Sequence, residues 1–332
     1  MREAEYYEKR PDGRVACKMC PHFCVIAPGE VGKCRVRRNE DGVLRSLIYG
    51  EVTSVALDPV EKKPLYHFRP GAQILSLGTW GCNFHCEFCQ NWQISQGTVT
   101  TEKLPPEAAV EMARQEGSVG IAYTYNEPGI WAEYVRDTAK AAKEAGLVNV
   151  LVTNGFWNPV PLEDVLVYTD ALNIDIKAMS EEFYREMTGG RLAPVLAAAV
   201  QANRRAHVEV TNLVIPGKND KAEEFEALGK WVAENLGEET PCHLSSYFPR
   251  FRLKIGPTPA ETLERGAGIV RQFLKHVYLG NVGGESGHDT QCAACGNLLI
   301  RRMGYNVRVV GLKGSACVQC GHRLKGEFRV SG

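Results

Sequence analysis

Residues 81–92 read GCNFHCEFCQNW, which sets Cys82, Cys86 and Cys89 in a C-x3-C-x2-C run. A structural zinc takes four protein ligands, so the run is one sulfur short of that use. His85 is the alternative fourth ligand, but it stands between Cys82 and Cys86 in a loop already crowded by three thiolates. Three thiolates suit a cubane 4Fe–4S cluster with one iron left open. An open iron can chelate a substrate or cofactor, whereas a cluster held by four Cys only passes electrons.

Outward from this loop the chain alternates strand and helix signals from about residue 73 to 280. QILSLGTW (73–80), SVGIAYTY (118–125), NVLVTNGF (149–156), ALNIDIK (171–177), HVEVTNLVI (207–215) and CHLSSYF (242–248) read as six buried strands. Between them, PPEAAVEMARQEG, WAEYVRDTAKAAKEAG and AETLERGAGIVRQFLKH read as helices. Lys221 to Leu236 is a further helix, with Phe225, Leu228, Trp231, Val232 and Leu236 on one stripe behind a cap at Asp220. Right-handed crossovers then give an α/β fold, a partial six-unit β/α barrel. In such a fold the site lies at the C-terminal ends of the strands. Asn126 and Glu127 end the second strand, Thr153 and Asn154 the third, and Asp175 and Lys177 the fourth, with Asn212, Ser245 and Ser246 further on. Each alone has a plainer reading as turn, cap or ion pair; ringing a metal loop at one end of a barrel, they read as a lining.

The other cysteines divide the chain. Cys17, Cys20, Cys24 and Cys34 form C-x2-C-x3-C-x9-C, a metal module over 1–48 that fits zinc or an auxiliary iron–sulfur cluster, with His22 as a competing ligand. The barrel takes 49–285. Over 286–332, Cys292, Cys295, Cys317 and Cys320 form two C-x2-C pairs, each followed by Gly, which read as a zinc ribbon with no open coordination position. From 296 on, Arg301, Arg302, Arg308, Lys313, Arg323, Lys325 and Arg329 face Glu327 alone, either an RNA-binding patch or a solvated surface packed on the barrel. Cys242 stands apart, a core thiol or a hydrogen donor beside the substrate.

Lys+Arg and Asp+Glu both number 39, so no global field holds nucleic acid or an anionic membrane. The start, MREAEYYEKR, lacks an apolar run, and no stretch of about 18 apolar residues follows, which predicts a cytoplasmic protein that does not span a membrane. Twelve cysteines in such a chain point to metal rather than disulfides.

On these residues the chain resembles the radical S-adenosylmethionine (SAM) superfamily, whose hallmark is C-x3-C-x2-C with an aromatic, here Phe88, before the last cysteine. Within it the chain is similar to pyruvate formate-lyase activating enzyme and other glycyl-radical activases. YNEP (125–128) stands where those carry Gly-Gly-Glu, TNGF (153–156) matches their third-strand motif and DIK (175–177) their Asp-Leu-Lys. CPHFC, DPVEKKPLYHF, CQNW, YTYNEP, TNG and the terminal ribbon also resemble, in order, the radical SAM member of the AmmeMemoRadiSam system. The activases carry a cofactor-contacting His near the end of the sixth strand, where this chain has Phe248, with His243 earlier.

The resemblance implies an oxidoreductase in which the open iron chelates SAM, reductive cleavage gives a 5′-deoxyadenosyl radical, and that radical removes hydrogen from a substrate. It implies Phe88, Gln90, Asn126, Glu127, Asn154, Asp175 and Lys177 around SAM: Asn126 and Glu127 at its ammonium, Lys177 at its carboxylate, Asp175 and Asn154 at the ribose hydroxyls or ammonium, and Phe88 beside adenine. It implies a flavodoxin or ferredoxin as electron donor, and MEMO-like and AMMECR1-like proteins as partners. A glycyl-radical activase and an RNA-modifying enzyme are the alternative readings. Asp58 to Phe68 reads as a cover over the barrel mouth, or else as a run whose Lys62 and Lys63 are simply solvated.

Overall fold

Short runs rich in Val, Ile and Leu must be covered on both faces, and they pair here into one sheet. The computed structural model describes residues 1–282 and 287–328. Its strands are β1 (Ser54–Pro59), β2 (Gln73–Gly78), β3 (Gly120–Tyr123), β4 (Val148–Thr153), β5 (Ala171–Asp175), β6 (His207–Val214), β7 (Cys242–Ser246) and β8 (Val277–Gly280), neighbours in chain order. β1 runs antiparallel to β2. The strands from β2 to β8 are parallel. Helices α1 (Pro106–Gln115), α2 (Ala132–Glu144), α3 (Pro159–Leu166), α4 (Leu192–Asn203), α5 (Ala222–Asn235) and α6 (Ala260–Val270) connect them.

The six expected strands are present, but the six-unit barrel is corrected to a sheet of eight strands. β1 escaped notice because it is a half-exposed edge strand ending in Asp and Pro. β8 is only four residues long, too short to show a strand period, and follows directly on the stretch 260–276 that reads as helix. The cap expected at Asp220 is also corrected: Lys221 occupies that position, and Asp220 Oδ1 instead accepts from Gly217 N at 2.9 Å in the preceding turn.

Strand register sorts the residues by face. Leu77, Tyr123, Leu151, Leu172 and Val208 lie side by side and join the main core under the helices. Ser76, Ala122, Val150 and Ala171 line the other face, and Val60, Leu65 and Phe68 pack there in a second, smaller core. The 58–68 segment therefore fills the half of the inner face nearer the strands' N-terminal ends, away from the cysteine loop. Glu209 accepts from Tyr66 N (3.0 Å) and His67 N (2.7 Å), and Asn173 Nδ2 donates to Pro64 O (2.8 Å). Lys63 is only 1% exposed and pairs with Asp58 at 2.7 Å, so the segment is not a cover over the mouth and Lys63 is not solvated; Lys62, which also pairs with Asp58 at 2.7 Å, stays exposed as the solvated reading has it.

The N-terminal residues form two small antiparallel sheets whose apolar side chains, from Ala4 and Val15 to Leu44, join the main core. Arg37 and Glu133 cross that junction in a buried ion pair at 2.6 Å. At the other end, strands Thr290–Gln291, Leu298–Met303 and Asn306–Val309 form a three-stranded sheet with its own small core. The boundary expected at 285/286 and Arg329 lie outside the described residues. Two of the seven basic residues read as a surface are ties to the barrel. Buried Arg302 donates to Tyr66 O at 2.7 Å, and Lys325 Nζ donates to Asn203 Oδ1 at 3.1 Å. No helix among the described residues is long and apolar enough to cross a membrane.

Candidate active site

The cysteine loop leaves the C-terminal end of β2 and is gripped by the ends of the next two parallel strands. Asn126, just past β3, accepts from Thr79 N at 3.1 Å and donates to Gly81 O at 3.0 Å. Asn154, just past β4, donates to Asn83 Oδ1 at 2.8 Å and approaches Cys82 Sγ at 3.8 Å. Asn83 Nδ2 in turn donates to Phe156 O at 2.9 Å. On the far side, His85 N donates to Thr188 O (2.8 Å) and Glu87 N to Met187 O (3.1 Å), so the widened helical turn Tyr184–Thr188 braces the loop. Gly190 is the close approach that permits this, because a Cβ there would overlap the Phe84 ring.

The sulfurs have donors of their own. Phe84 N donates to Cys82 Sγ at 3.4 Å, and Ser95 Oγ lies 3.2 Å from Cys89 Sγ. Burial raises the Cys82 thiol well above its ordinary range, with Glu127 adding to the shift, and pushes the Cys86 thiol up to about 12 against the pull of Lys177. Bare, these thiols hold their protons at neutral pH; a metal takes the protons' place.

Sulfur spacing separates the three cysteine groups. With Zn–S of about 2.3 Å, a tetrahedral site places its sulfurs about 3.8 Å apart. At the C terminus, Cys292 and Cys320 lie 3.6 Å apart and Cys295 and Cys317 3.8 Å. That single-ion spacing is set by two tight knuckles: Gly296 N donates to Cys292 O and Gly321 N to Cys317 O, with the glycines at φ +73° and +77°. Among the described residues, this is the one group of three or more metal-ligating side chains whose ligand atoms all lie within 4.8 Å of one another. The central three and the N-terminal four are spaced more widely. The N-terminal four nonetheless line one cavity together.

The residues expected around SAM fall at the same end of the sheet but in different states. Glu127 is 1% exposed, and its carboxylate accepts from Gly129 N (2.8 Å), Thr153 Oγ1 (2.8 Å) and Asn154 N (2.7 Å). Burial raises its pKa to about 7, and those hydrogen bonds keep it from rising further. It knits β3 to β4 rather than presenting a free carboxylate. Lys177 and Asp175 pair at 3.0 Å on the inner face. Burial opposes the Lys177 charge, but Asp175 and the Cys86 sulfur outweigh it and raise its pKa. Phe88 is buried, 5.9 Å from the Phe183 ring and 5.8 Å from Lys177 Nζ, while Gln90 is exposed.

The sequence reading missed Asn83 and Ser95, whose only signal was their nearness to the cysteines. It also missed Thr211, which pairs in register with Asp175 and has a buried hydroxyl without a partner. The alternative ligands are otherwise engaged: His22 Nε2 donates to Asn83 O at 2.7 Å, and exposed His85 bonds Gln96 Oε1 at 2.8 Å. Cys242 is fully buried on the helix side of the sheet, where burial pushes its thiol up to about 12, so it is a core residue.

The Radical SAM superfamily model matches residues 77–232, the span from the loop strand through most of α5. The chain belongs to the radical SAM superfamily. It is 42% identical over 332 residues to the uncharacterized protein MJ0808 of Methanocaldococcus jannaschii, covering 98% of this chain and 99% of that one. It is 28% identical over 214 residues to the pyruvate formate-lyase 1-activating enzyme of Escherichia coli, covering 58% of this chain and 86% of the enzyme. A radical SAM methyltransferase structure from Sphaerobacter thermophilus superposes with a TM-score of 0.51 at 18% identity, over 70% of this chain and 71% of that one, a likeness of fold alone. The donor set fits the superfamily's 4Fe–4S cluster and SAM: three thiols at wider than single-ion spacing, hydrogen-bond donors at two of the sulfurs, and an unpartnered Thr211 hydroxyl on the inner face.

Proposed function

We propose that Cys82, Cys86 and Cys89 hold a 4Fe–4S cluster at which SAM is reductively cleaved, and that hydrogen is then removed from a substrate still to be identified. When bound, the cluster and SAM supply one electron to the sulfonium bond and a 5′-deoxyadenosyl radical to the substrate. The carrying observation is the three-thiol loop, gripped by Asn126 and Asn154 at the strand ends. Lys177 is the cation for the methionine carboxylate, and Asp175 and Thr211 are the acceptors beside it on the inner face. Asn126 and Asn154 hold the loop, and Glu127 holds Asn154, so these three act on SAM chiefly through position. Phe88 is the apolar wall under Lys177 for adenine, and exposed Gln90 lies at the outer lip. The electron comes from a donor of flavodoxin or ferredoxin type, as radical SAM enzymes require.

The C-terminal four thiols, at single-ion spacing, are a structural zinc ribbon in this reading. Membership of the AmmeMemoRadiSam system, with MEMO-like and AMMECR1-like partners, rests on the ordered motifs from CPHFC to the ribbon. A second reading, activation of a glycyl-radical enzyme, is favoured by the similarity to the Escherichia coli activating enzyme. The test is anaerobic turnover with SAM, dithionite and candidate partner proteins. 5′-Deoxyadenosine formed by wild type and lost in Cys82→Ala, Cys86→Ala and Cys89→Ala supports the assignment; product from any of these variants refutes it. A glycine-radical EPR doublet on a partner selects the activase reading.

A further inference from the structure

The four N-terminal thiols stand apart in sequence from the three-cysteine loop. They line one cavity of about 10 Å³, about the room one water needs, together with Met19, His22, Lys33 and Arg37. Four sulfurs at zinc spacing leave no such space between them, and no three of these come within 4.8 Å of one another. The sulfurs therefore stand wider apart than a single zinc ion holds them. The buried Nε of Arg37 has no partner, although its other nitrogens bond Glu133 and Ile130 O. A fixed cation with a spare donor suits an anionic metal–thiolate group.

The site also abuts the central loop. A Cβ on Gly81 would stand 2.7 Å from Cys34 O and 2.6 Å from Val36 Cγ1, so backbone meets backbone one residue before Cys82. His22, in the cavity wall, bonds the carbonyl next to Cys82. Arg35, next to Cys34, donates to Ser95 O and Gln96 O, and Ser95 itself touches Cys89.

We infer that Cys17, Cys20, Cys24 and Cys34 bind a 4Fe–4S cluster that carries electrons to the central site. With four protein ligands it has no open iron and only passes electrons. A low-potential one-electron donor is oxidised as this cluster goes from the 2+ to the 1+ state. The cluster returns to 2+ as the central one becomes 1+, so one electron moves and no atoms are transferred. The relay step rests on the proposed function; the presence of the cluster does not.

The full chain is reconstituted anaerobically with iron and sulfide, beside Cys82→Ala/Cys86→Ala/Cys89→Ala and Cys20→Ala/Cys24→Ala. Wild type should hold about eight irons and each variant about four, those of the triple variant giving a reduced-cluster EPR signal indifferent to SAM. Iron near four in wild type, all of it lost in the triple variant, overturns the N-terminal cluster and leaves the proposed function standing. Iron near four in wild type, all of it retained in the triple variant, sinks the proposed function alone, and a chain that takes up no iron sinks both. With flavodoxin as reductant, SAM cleavage by Cys20→Ala/Cys24→Ala should fall at least about tenfold, while titanium(III) citrate, small enough to reach the central site directly, sustains it. An equal fall with both reductants, or no fall with either, overturns the relay.

Discussion

Asn154 does more at the loop than its size suggests, because one amide group serves three partners. Its Nδ2 reaches Asn83 and Cys82 while its Oδ1 accepts from Phe156 N at 2.9 Å. Groups that orient metal ligands are worth about 10–100-fold in affinity or activity. Asn154→Ala should therefore slow 5′-deoxyadenosine formation by about that factor while leaving the iron content within a quarter of wild type, as read by product and iron assays. Glu127→Ala should weaken SAM binding with the cluster retained, because it frees the Asn154 amide; unchanged SAM affinity in equilibrium dialysis would remove Glu127 from the site. The sequence marks Glu127 as polar at a strand end, but not that three donors already occupy its carboxylate. Those donors come from a turn and a neighbouring strand that only folding brings together.

At the scale of elements, the cysteine loop depends on glycines that let other chain segments in. Gly81 has φ +84°, and a Cβ there meets a backbone carbonyl, so Gly81→Ala should cost about 2 kcal/mol or more in urea unfolding. Gly268, inside α6 with nothing near it, is the control: Gly268→Ala should be neutral or gain about 0.5–1 kcal/mol. An equal loss in both variants would show that the contact at Gly81 does not matter. Strands buried on both faces were legible from their apolar runs. β1 and β8 were not, since one is a half-exposed edge and the other too short to show a period. The role of Asp58 to Phe68 was also hidden, because charged residues in sequence look solvated until Asp58 is seen between two lysines and Tyr125.

Across the whole molecule, the ribbon is fastened to the barrel by buried charge. Arg302 lies 3.7 Å from Glu61, both inaccessible to water, and also donates to Tyr66 O. Arg302→Met leaves Glu61 uncompensated and should cost about 3–5 kcal/mol in denaturant unfolding. Nearby, burial lowers His276 to about 4, and its Nε2 has no partner. A depressed histidine contributes stability that is complete above its unfolded value of about 6.5 and is lost as pH falls through about 4. His276→Phe should therefore flatten the fall in thermal midpoint between pH 6.5 and 4, and an unchanged slope would contradict this.

The central claim is an iron at the three-cysteine loop that the protein leaves free for SAM. EPR of the anaerobically reduced, reconstituted Cys20→Ala/Cys24→Ala chain, recorded with and without SAM labelled with ¹⁵N at the amino group, tests it most directly. SAM should shift the cluster signal and the label should give a nitrogen coupling; a spectrum unchanged by SAM and without that coupling would mean that no iron is left free for SAM.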